Sequence, residues 1–212
     1  MSITIILVVI TGFISYKGFE YQSFFNKYMH NPYRVHHYKE YYRMLSSGFL
    51  HGSWLHLLIN LFVFHEFGRL VEYKFLSKYG SLTGAILYLV FYLLAIVVSD
   101  FRSLKKHQNN PSFSSIGASG AVSAILFVYI FFEPWSILLL YFVIPMPAII
   151  GGILYLWYSS YAAKNMQDRI DHDAHFAGAI FGFLAALILF SDSVQIFLSK
   201  LLQGPDFAGI GF

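Results

Sequence analysis

The chain has 212 residues, of which 57% are hydrophobic and 20% aromatic, and only 12% are charged. Soluble domains carry about 25% charged residues, so this composition excludes an ordinary soluble domain and indicates a membrane protein. The net charge of +3 comes without a long basic run, which argues against nucleic acid as a partner, and the lack of cysteine excludes disulfides, thiolate catalysis and cysteine-ligated zinc.

Six apolar segments follow one another along the chain, and their lengths approach the roughly 20 residues (range about 17–25) that a spanning helix needs. The predicted spans are 2–18, 54–73, 80–99, 116–132, 147–163 and 173–190. The first has no basic region before it and no small-residue cleavage site after it, so we expect a retained span and no soluble N-terminal domain. The sequence therefore predicts an all-α membrane protein, a six-transmembrane-helix bundle that takes residues 1–212 as a single domain.

The segments between these spans differ in character. Residues 19–53 are rich in Tyr, His and Phe, and because aromatic rings favour the headgroup boundary we expect a long membrane-associated first loop. Residues 100–115 are predicted to form a polar loop. Residues 135–144 form an apolar run that is too short to span, and the prolines that follow break its continuation, so we expect it to dip into the membrane or lie at its interface. The tail 191–212 is expected to be weakly structured.

Three polar residues, His56, Ser119 and His175, lie near the N-terminal ends of the second, fourth and sixth spans. Even-numbered spans run in the same direction, so we expect the three side chains on one side of the bilayer at similar depth. A hydroxyl or an imidazole in hydrocarbon needs a partner, because buried polar groups without one are costly. The order of the spans therefore predicts a site where these side chains converge.

Ser119 and His175 have the chemistry of a nucleophile and its base. A serine hydroxyl is a weak nucleophile until a base takes its proton, and an imidazole with a pKa of roughly 6.5 accepts and returns a proton near neutrality. Small residues on both helices would let the backbones approach closely and let a carbonyl substrate reach the serine. These supporting residues are Gly117 and Gly120 beside the serine, and Gly178 and Gly182 on the face of His175.

His56 and Asn60 are four residues apart and therefore share one helical face. Both side chains donate hydrogen bonds, which suits an oxyanion site together with the backbone amide of Ser119 at its helix N-terminus. The alternative is an interhelical hydrogen bond with a structural role. Asp171, one turn before His175, is a candidate third member of the catalytic group, although a carboxylate at the end of a loop is more often solvated.

Taken together, these motifs resemble those of the rhomboid intramembrane serine proteases. The resemblance rests on Gly117-Ala-Ser119-Gly120, His56-x-x-x-Asn60 and Ala174-His175-x-x-Gly178-x-x-x-Gly182. It covers the chain from about 40 to 190 and implies a six-helix core with a dyad of Ser119 and His175 that needs no acid. It also implies an oxyanion site from His56, Asn60 and the Ser119 amide, with no cofactor and no metal.

The first loop and one neighbour of the serine bear on the same resemblance. Tyr42-Arg43 and His51 fall where the family places a structured first loop, and Glu72 falls where it places the anchor of that loop, so Arg43 and Glu72 are expected to have supporting roles. Four residues after the nucleophile the family usually carries an aromatic residue that stacks on the histidine. Here that residue is Ser123, which leaves any such stacking to another aromatic side chain.

The resemblance also implies the partners and the location. It implies cleavage of transmembrane protein substrates near a membrane boundary, with the lipid bilayer as the second partner. We expect a multi-pass protein of the bacterial inner (plasma) membrane with the active site towards the outside. Counting Lys and Arg gives the opposite orientation by the positive-inside rule, but without 19–53 the two sides are nearly balanced, so we follow the resemblance.

Two rival functions stay open. A rhomboid-like pseudoprotease would bind transmembrane clients without cutting them, but such relatives lose the serine or the histidine and this chain keeps both. A metal-dependent membrane hydrolase would need imidazole and carboxylate ligands. Its candidate ligands are His172, His175 and Asp171, with His51 or His56 from a third helix. The segment that begins His65-Glu66 has Arg69 at the second ligand position and is therefore not a zinc-binding His-Glu-x-x-His motif.

Overall fold

Ten α-helices and one antiparallel hairpin form the described part of the computed structural model, which comprises residues 2–140, 143–166 and 170–205. In chain order they are α1 (Ile3–Glu20), α2 (Gln22–Tyr28), α3 (Pro32–Tyr38), α4 (Tyr42–Ser46), α5 (Trp54–Tyr79), α6 (Ser81–His107), α7 (Ser119–Phe132), β1 (Ile137–Leu140), β2 (Ile144–Pro147), α8 (Ala148–Asn165), α9 (His172–Leu189) and α10 (Val194–Gln203). Six of these helices, α1 and α5 to α9, fall on the six predicted spans.

Among the described residues, three helices are suited by length and composition to cross a membrane, namely α1, α6 and α9. A fourth crossing results if Tyr42–Phe49 and Trp54–Tyr79 are counted as one span, bent by 92°. α7 is apolar but has only 14 residues. The all-α membrane class is therefore confirmed, whereas the six-span count stays a prediction.

α6 is longer than the sequence analysis predicted. It continues to His107, so the first half of the predicted polar loop 100–115 is helical and that prediction was wrong. The reason lies in α9, where the buried Asp173 forms ion pairs of 2.7 Å with both Arg102 and Lys106. The buried carboxylate of Asp173 thus keeps these charged residues helical, although a charged sequence of this kind is typical of a loop.

The first loop is an ordered set of three short helices, α2 to α4. The buried Arg43 donates hydrogen bonds of 2.9 Å to the backbone carbonyls of Asn26 and Met29 and pairs with Glu40. Arg34 binds the same carboxylate at 2.6 Å. Because a guanidinium presents several donors in a fixed geometry, Arg43 ties the end of α2 to α4.

Glu72 binds a different element from the one that the resemblance implies. Its buried carboxylate accepts hydrogen bonds from the amides of Ile3 and Thr4 and from the hydroxyls of Ser2 and Thr4, at 2.6–3.0 Å. It therefore caps the first turn of α1 instead of anchoring the first loop. Unsatisfied amides and the helix dipole both favour a carboxylate at this end of a helix.

The apolar run 135–144 begins a β-hairpin. β1 and β2 are antiparallel, with Ile137 opposite Pro147 and Leu140 opposite Ile144. Proline is confined to the edges of sheets because it donates no ladder hydrogen bond, and a two-stranded ribbon consists of edges alone. The prolines that would stop a helix are therefore compatible with this hairpin. Its expected place at the membrane interface stays a prediction, and residues 141–142 of the run lie outside the described residues.

The tail is helical where weak structure was expected. α10 buries Phe197, whose ring stacks on that of Phe131 in α7 at 5.1 Å between centroids. Lys200 donates a hydrogen bond of 2.6 Å to the Phe132 carbonyl at the end of α7. These contacts with α7 order α10, while residues 206–212 of the tail lie outside the described residues.

α7 is buried along most of its length, and its backbone touches that of α9. A Cβ built on Gly178 would lie 2.0 Å from the Gly120 carbonyl oxygen, and one built on Gly182 would lie 2.2 Å from the Ala124 carbonyl oxygen. Only glycine fits at such distances. The contact holds the N-terminal turns of the two helices side by side.

Gly178→Ala is expected to lower the midpoint of thermal unfolding in detergent, because the added methyl group overlaps backbone atoms of α7. Overpacking costs about 1–3 kcal/mol, which corresponds to roughly 2–12 °C for a chain of this size. Gly12→Ala is the matched control, since a Cβ there would lie 3.8 Å from Leu61, an ordinary contact. Equal midpoints for the two variants would contradict the backbone contact.

Glu40 is expected to make the stability of the protein depend on pH. Hydrogen bonds from Arg34 lower the pKa of Glu40 from 4.5 to about 2, against the effect of burial and with help from Arg43. The stabilisation is therefore complete above pH of about 4.5 and is lost as pH falls through about 2. We expect Glu40→Gln to lower the unfolding midpoint near neutral pH, and the gap to wild type to close over this acid range. If the difference in unfolding midpoint between wild type and Glu40→Gln were the same at every pH, ionisation of Glu40 would be excluded as the source of the stabilisation.

Candidate active site

Ser119 is the first residue of α7, and the turn before it requires glycine. Gly117 has a φ of +117°, which L side chains rarely adopt, and a Cβ built there would lie 2.9 Å from Cε1 of His56. Ala118 is the N-cap, and no hydrogen bond from a described side chain caps the helix there. The backbone amides of the first turn of α7, beginning with that of Ser119, can therefore donate to an acceptor that lies beside the Ser119 hydroxyl.

His175 lies in the first turn of α9 and meets the serine. Its Nε2 lies 2.7 Å from Ser119 Oγ, a hydrogen-bond distance. The carboxylate of Asp171 caps the helix, since it accepts from the Ala174 amide at 3.0 Å and from the Ser103 hydroxyl at 2.5 Å. Asp171 thus holds α9 in place, and the structure brings together the two residues that the sequence nominates as nucleophile and base.

His56 lies beside the same glycine turn, whereas Asn60 is bonded within α5. A Cβ on Gly117 would lie 3.1 Å from His56 Nε2 and 3.8 Å from Ser119 Oγ. The imidazole of His56 and the hydroxyl of Ser119 therefore both lie next to Gly117. The buried Asn60 donates to the His56 carbonyl at 3.0 Å, which uses one of its two amide N–H groups. Of the two side chains predicted to form the oxyanion site, the described contacts bring only His56 to the serine turn.

The aromatic side chain next to His175 comes from α8. The ring of Tyr155 is inclined by 21° to the imidazole, with 6.1 Å between the centroids. Its hydroxyl lies 2.5 Å from Ser123 Oγ, and the Ser123 hydroxyl donates to the Ser119 carbonyl at 2.7 Å. The small side chain of Ser123 therefore leaves room for the ring of Tyr155, which comes from another helix. Sequence reasoning missed Tyr155, and its one signal was the serine in a position where an aromatic was expected.

A second polar cluster lies behind the serine turn. Among the described residues, the only group of three His, Asp or Glu side chains close enough to share an ion is His30, Asp100 and Asp171, whose ligand atoms lie within 4.8 Å of one another. The set His172, His175 and Asp171 that the metal-hydrolase alternative requires is not assembled, because Asp171 faces this cluster. Burial lowers the pKa of His30 to about 4, against the opposite effect of the Asp171 carboxylate.

These features define a membrane protein in which the ends of two helices carry a partly buried, hydrogen-bonded serine and histidine. A comparison with models of protein families matches the Rhomboid domain over residues 38–192, which is most of the chain. The chain therefore belongs to the rhomboid family and is a multi-pass membrane protein.

One curated relative is similar in sequence. The chain is 28% identical over 150 residues to RHOMBOID-like protein 12, mitochondrial, from Arabidopsis thaliana. The match covers 67% of this chain and 44% of that protein, so the chain spans less than half the length of this relative.

Proposed function

We propose that the protein is an intramembrane serine endopeptidase whose dyad is Ser119 and His175. The observation that carries this proposal is the distance of 2.7 Å between Ser119 Oγ and His175 Nε2. The two residues belong to the first turns of helices whose backbones are in contact at Gly178, so the packing of the bundle fixes the geometry of the pair. Membership of the rhomboid family supports the same function.

The proposed reaction is acyl transfer in two halves. His175 Nε2 takes the Ser119 proton as Oγ attacks the scissile carbonyl carbon, and a tetrahedral oxyanion forms. The imidazolium then gives this proton to the leaving amine, the C–N bond breaks, and an acyl-serine remains. His175 next takes a proton from water, the hydroxide attacks the ester, and Ser119 regains a proton as the carboxylic product leaves.

We propose three donors for the oxyanion: the Ser119 amide, His56 and Asn60. The uncapped first turn of α7 supports the first, because its amides and the positive end of its dipole face negative charge that develops at the serine. The position of His56 at Gly117 supports the second. Asn60 bonds the backbone of His56, so it acts either as a direct donor or by fixing the turn that carries His56.

We propose transmembrane proteins as substrates, cut near a membrane boundary at small residues with helix-destabilising residues nearby. The site supports this, since it lies where α5, α7 and α9 begin and not midway along them. The bilayer is the second partner, and the dyad chemistry needs no cofactor.

We propose that the dyad faces the outer side of the membrane, as the resemblance implies. The bacterial plasma membrane expected from the sequence has no support from the relative, whose name carries the word mitochondrial. The proposal therefore states on which side of the membrane the dyad lies, and it does not state which cellular membrane contains the protein.

Ser119→Ala and His175→Ala are each expected to abolish cleavage of a model transmembrane substrate in proteoliposomes, because either change removes one partner of the proton transfer. Wild-type protein is expected to be labelled on Ser119 by a fluorophosphonate, with mass spectrometry locating the adduct. Ser112→Ala, at an exposed loop serine, is the matched control and should cleave at the wild-type rate.

Two outcomes would count against the dyad. Cleavage by Ser119→Ala at the wild-type rate would remove the serine from the mechanism. Binding of transmembrane segments by wild-type protein, with neither cleavage nor labelling, would instead establish the client-binding pseudoprotease.

Asn60→Ala is expected to lower kcat by roughly 10²–10³-fold with a smaller change in KM, because a donor to the oxyanion acts mainly in the transition state. The measurement is steady-state cleavage in proteoliposomes. His65→Ala, on the same helix and partly exposed, is the control. Unchanged turnover in Asn60→Ala would assign Asn60 to helix packing.

A further inference from the structure

We propose that His30, Asp100 and Asp171 bind one divalent transition-metal ion, and that Zn²⁺ fits this ligand set best. The site lies behind the serine turn and does not include the dyad, so the inference does not depend on the proposed peptidase function. The bound ion joins the first loop to α6 and α9, and its role is to hold these three segments together.

The three ligands come from parts of the chain that are distant in sequence. His30 lies between α2 and α3, Asp100 lies in α6, and Asp171 is the N-cap of α9. One ligand atom from each lies within 4.8 Å of the other two, and Nδ1 of His30 is 3.4 Å from Oδ2 of Asp100. Two atoms that bind a tetrahedral zinc ion at about 2.0–2.2 Å are about 3.3–3.6 Å apart. This pair therefore already has the spacing of two ligands of one ion.

The two carboxylates of this cluster lack a cation of sufficient charge. Asp100 is buried, and Oδ2 of Asp171 is buried without a hydrogen-bond partner in the described part of the chain. Over the same residues, the one ion pair that either carboxylate forms is that of Asp100 with His30. A carboxylate is costly to bury without a compensating charge, and a single imidazole cannot balance two of them. A divalent cation balances both.

Serine hydroxyls orient the two carboxylates. Ser47 donates a hydrogen bond to Asp100 at 3.3 Å, and Ser103 donates one to Asp171 at 2.5 Å. Partners of this kind fix the direction of ligating side chains in metal sites and tune their affinity for the ion. The carboxylates are therefore oriented before an ion binds.

Space for one further ligand is present beside the cluster. A cavity of about 10 Å³ is lined by both Asp100 and Asp171, which is about the volume that one water molecule needs. Ser115 lines the same cavity, and its hydroxyl lies 3.1 Å from Nδ1 of His30. Three protein ligands with a hydroxyl or a water molecule in the fourth position give the tetrahedral coordination that zinc adopts.

The ligand types select the ion. Imidazole suits zinc and other first-row transition metals, whereas Ca²⁺ and Mg²⁺ prefer oxygen ligands and need more of them. One imidazole and two carboxylates are competent zinc ligands, and their two negative charges equal the charge of the ion. We therefore expect Zn²⁺ to bind and Mg²⁺ to bind far more weakly.

The ion joins segments that adjoin the dyad. The backbones of His30 and Ser115 exchange two hydrogen bonds of 3.0 and 3.1 Å, shortly before the serine turn. Asp171 caps the helix that carries His175. One ion thus holds a ligand of the first loop and a ligand at the start of α9, so its removal is expected to loosen the first loop from the bundle.

Tag-free protein equilibrated with Zn²⁺ and separated from excess metal is expected to retain about one zinc ion per chain, measured by elemental mass spectrometry. Asp100→Asn and His30→Gln each remove a ligand. The dissociation constant for zinc is expected to rise at least about 100-fold in both, since even the loss of a supporting partner costs about 10–100-fold. Asp192→Asn is the matched control, because this carboxylate is 65% exposed and follows the other end of α9.

Zinc is also expected to raise the unfolding midpoint of chelator-treated wild-type protein in detergent. The expected rise is roughly 5–10 °C at a zinc concentration of about 100 times the dissociation constant, and Mg²⁺ at the same concentration should leave the midpoint unchanged. This measurement needs no variant, so it tests the site even if a substitution prevents folding. Folded Asp100→Asn should show no such rise.

Three results would overturn the inference. The first is wild-type protein that neither retains zinc nor gains stability from it, which would leave a proton as the charge that balances Asp100 and Asp171. The second is equal zinc affinity in Asp100→Asn and wild type. The third is loss of zinc in His175→Ala, which would place the ion at the site of the rival metal hydrolase. Failure of the proposed peptidase has a different signature, because Ser119 would then resist labelling by a fluorophosphonate while the zinc content stayed the same.

Discussion

Everything at the site depends on the contact between the backbones of α7 and α9. Apolar side chains gain little by exchanging lipid for another helix, so helices in a bilayer associate through close packing of small residues. At Gly178 the opposite backbone leaves no room for a methyl group. This approach allows a side chain as short as that of Ser119 to reach an imidazole on the neighbouring helix.

Much of the fold follows from local signals in the sequence. Apolar runs mark the six long helices because a bilayer constrains both the length and the composition of what crosses it. The errors share a cause, which is a partner far along the chain. The charged end of α6 is helical because Asp173 lies 67 residues after Lys106 and binds it, and α10 is ordered because Phe197 reaches Phe131.

The residues of the site likewise differ in whether local sequence signals could identify them. Ser119 and His175 could be named from the sequence because each stands in a short motif of small residues, and the direction of the spans indicates that they meet. Tyr155 could not, since no spacing relates a residue of α8 to one of α9. The oxyanion site could be predicted only in part. The sequence places His56 and Asn60 on one helical face, but it does not reveal that the Asn60 side chain donates a hydrogen bond to the backbone of its own helix.

The capping of α1 by Glu72 imposes an order on the biosynthesis of the protein. Thr4 and Glu72 are 68 residues apart, so α1 has no carboxylate from α5 at its amino end until most of α5 has been made. At about 5–20 residues per second this interval lasts roughly 3–14 s. During it the open amides of α1 have to be satisfied by water or lipid headgroups, so the start of this helix stays at the membrane surface until α5 arrives.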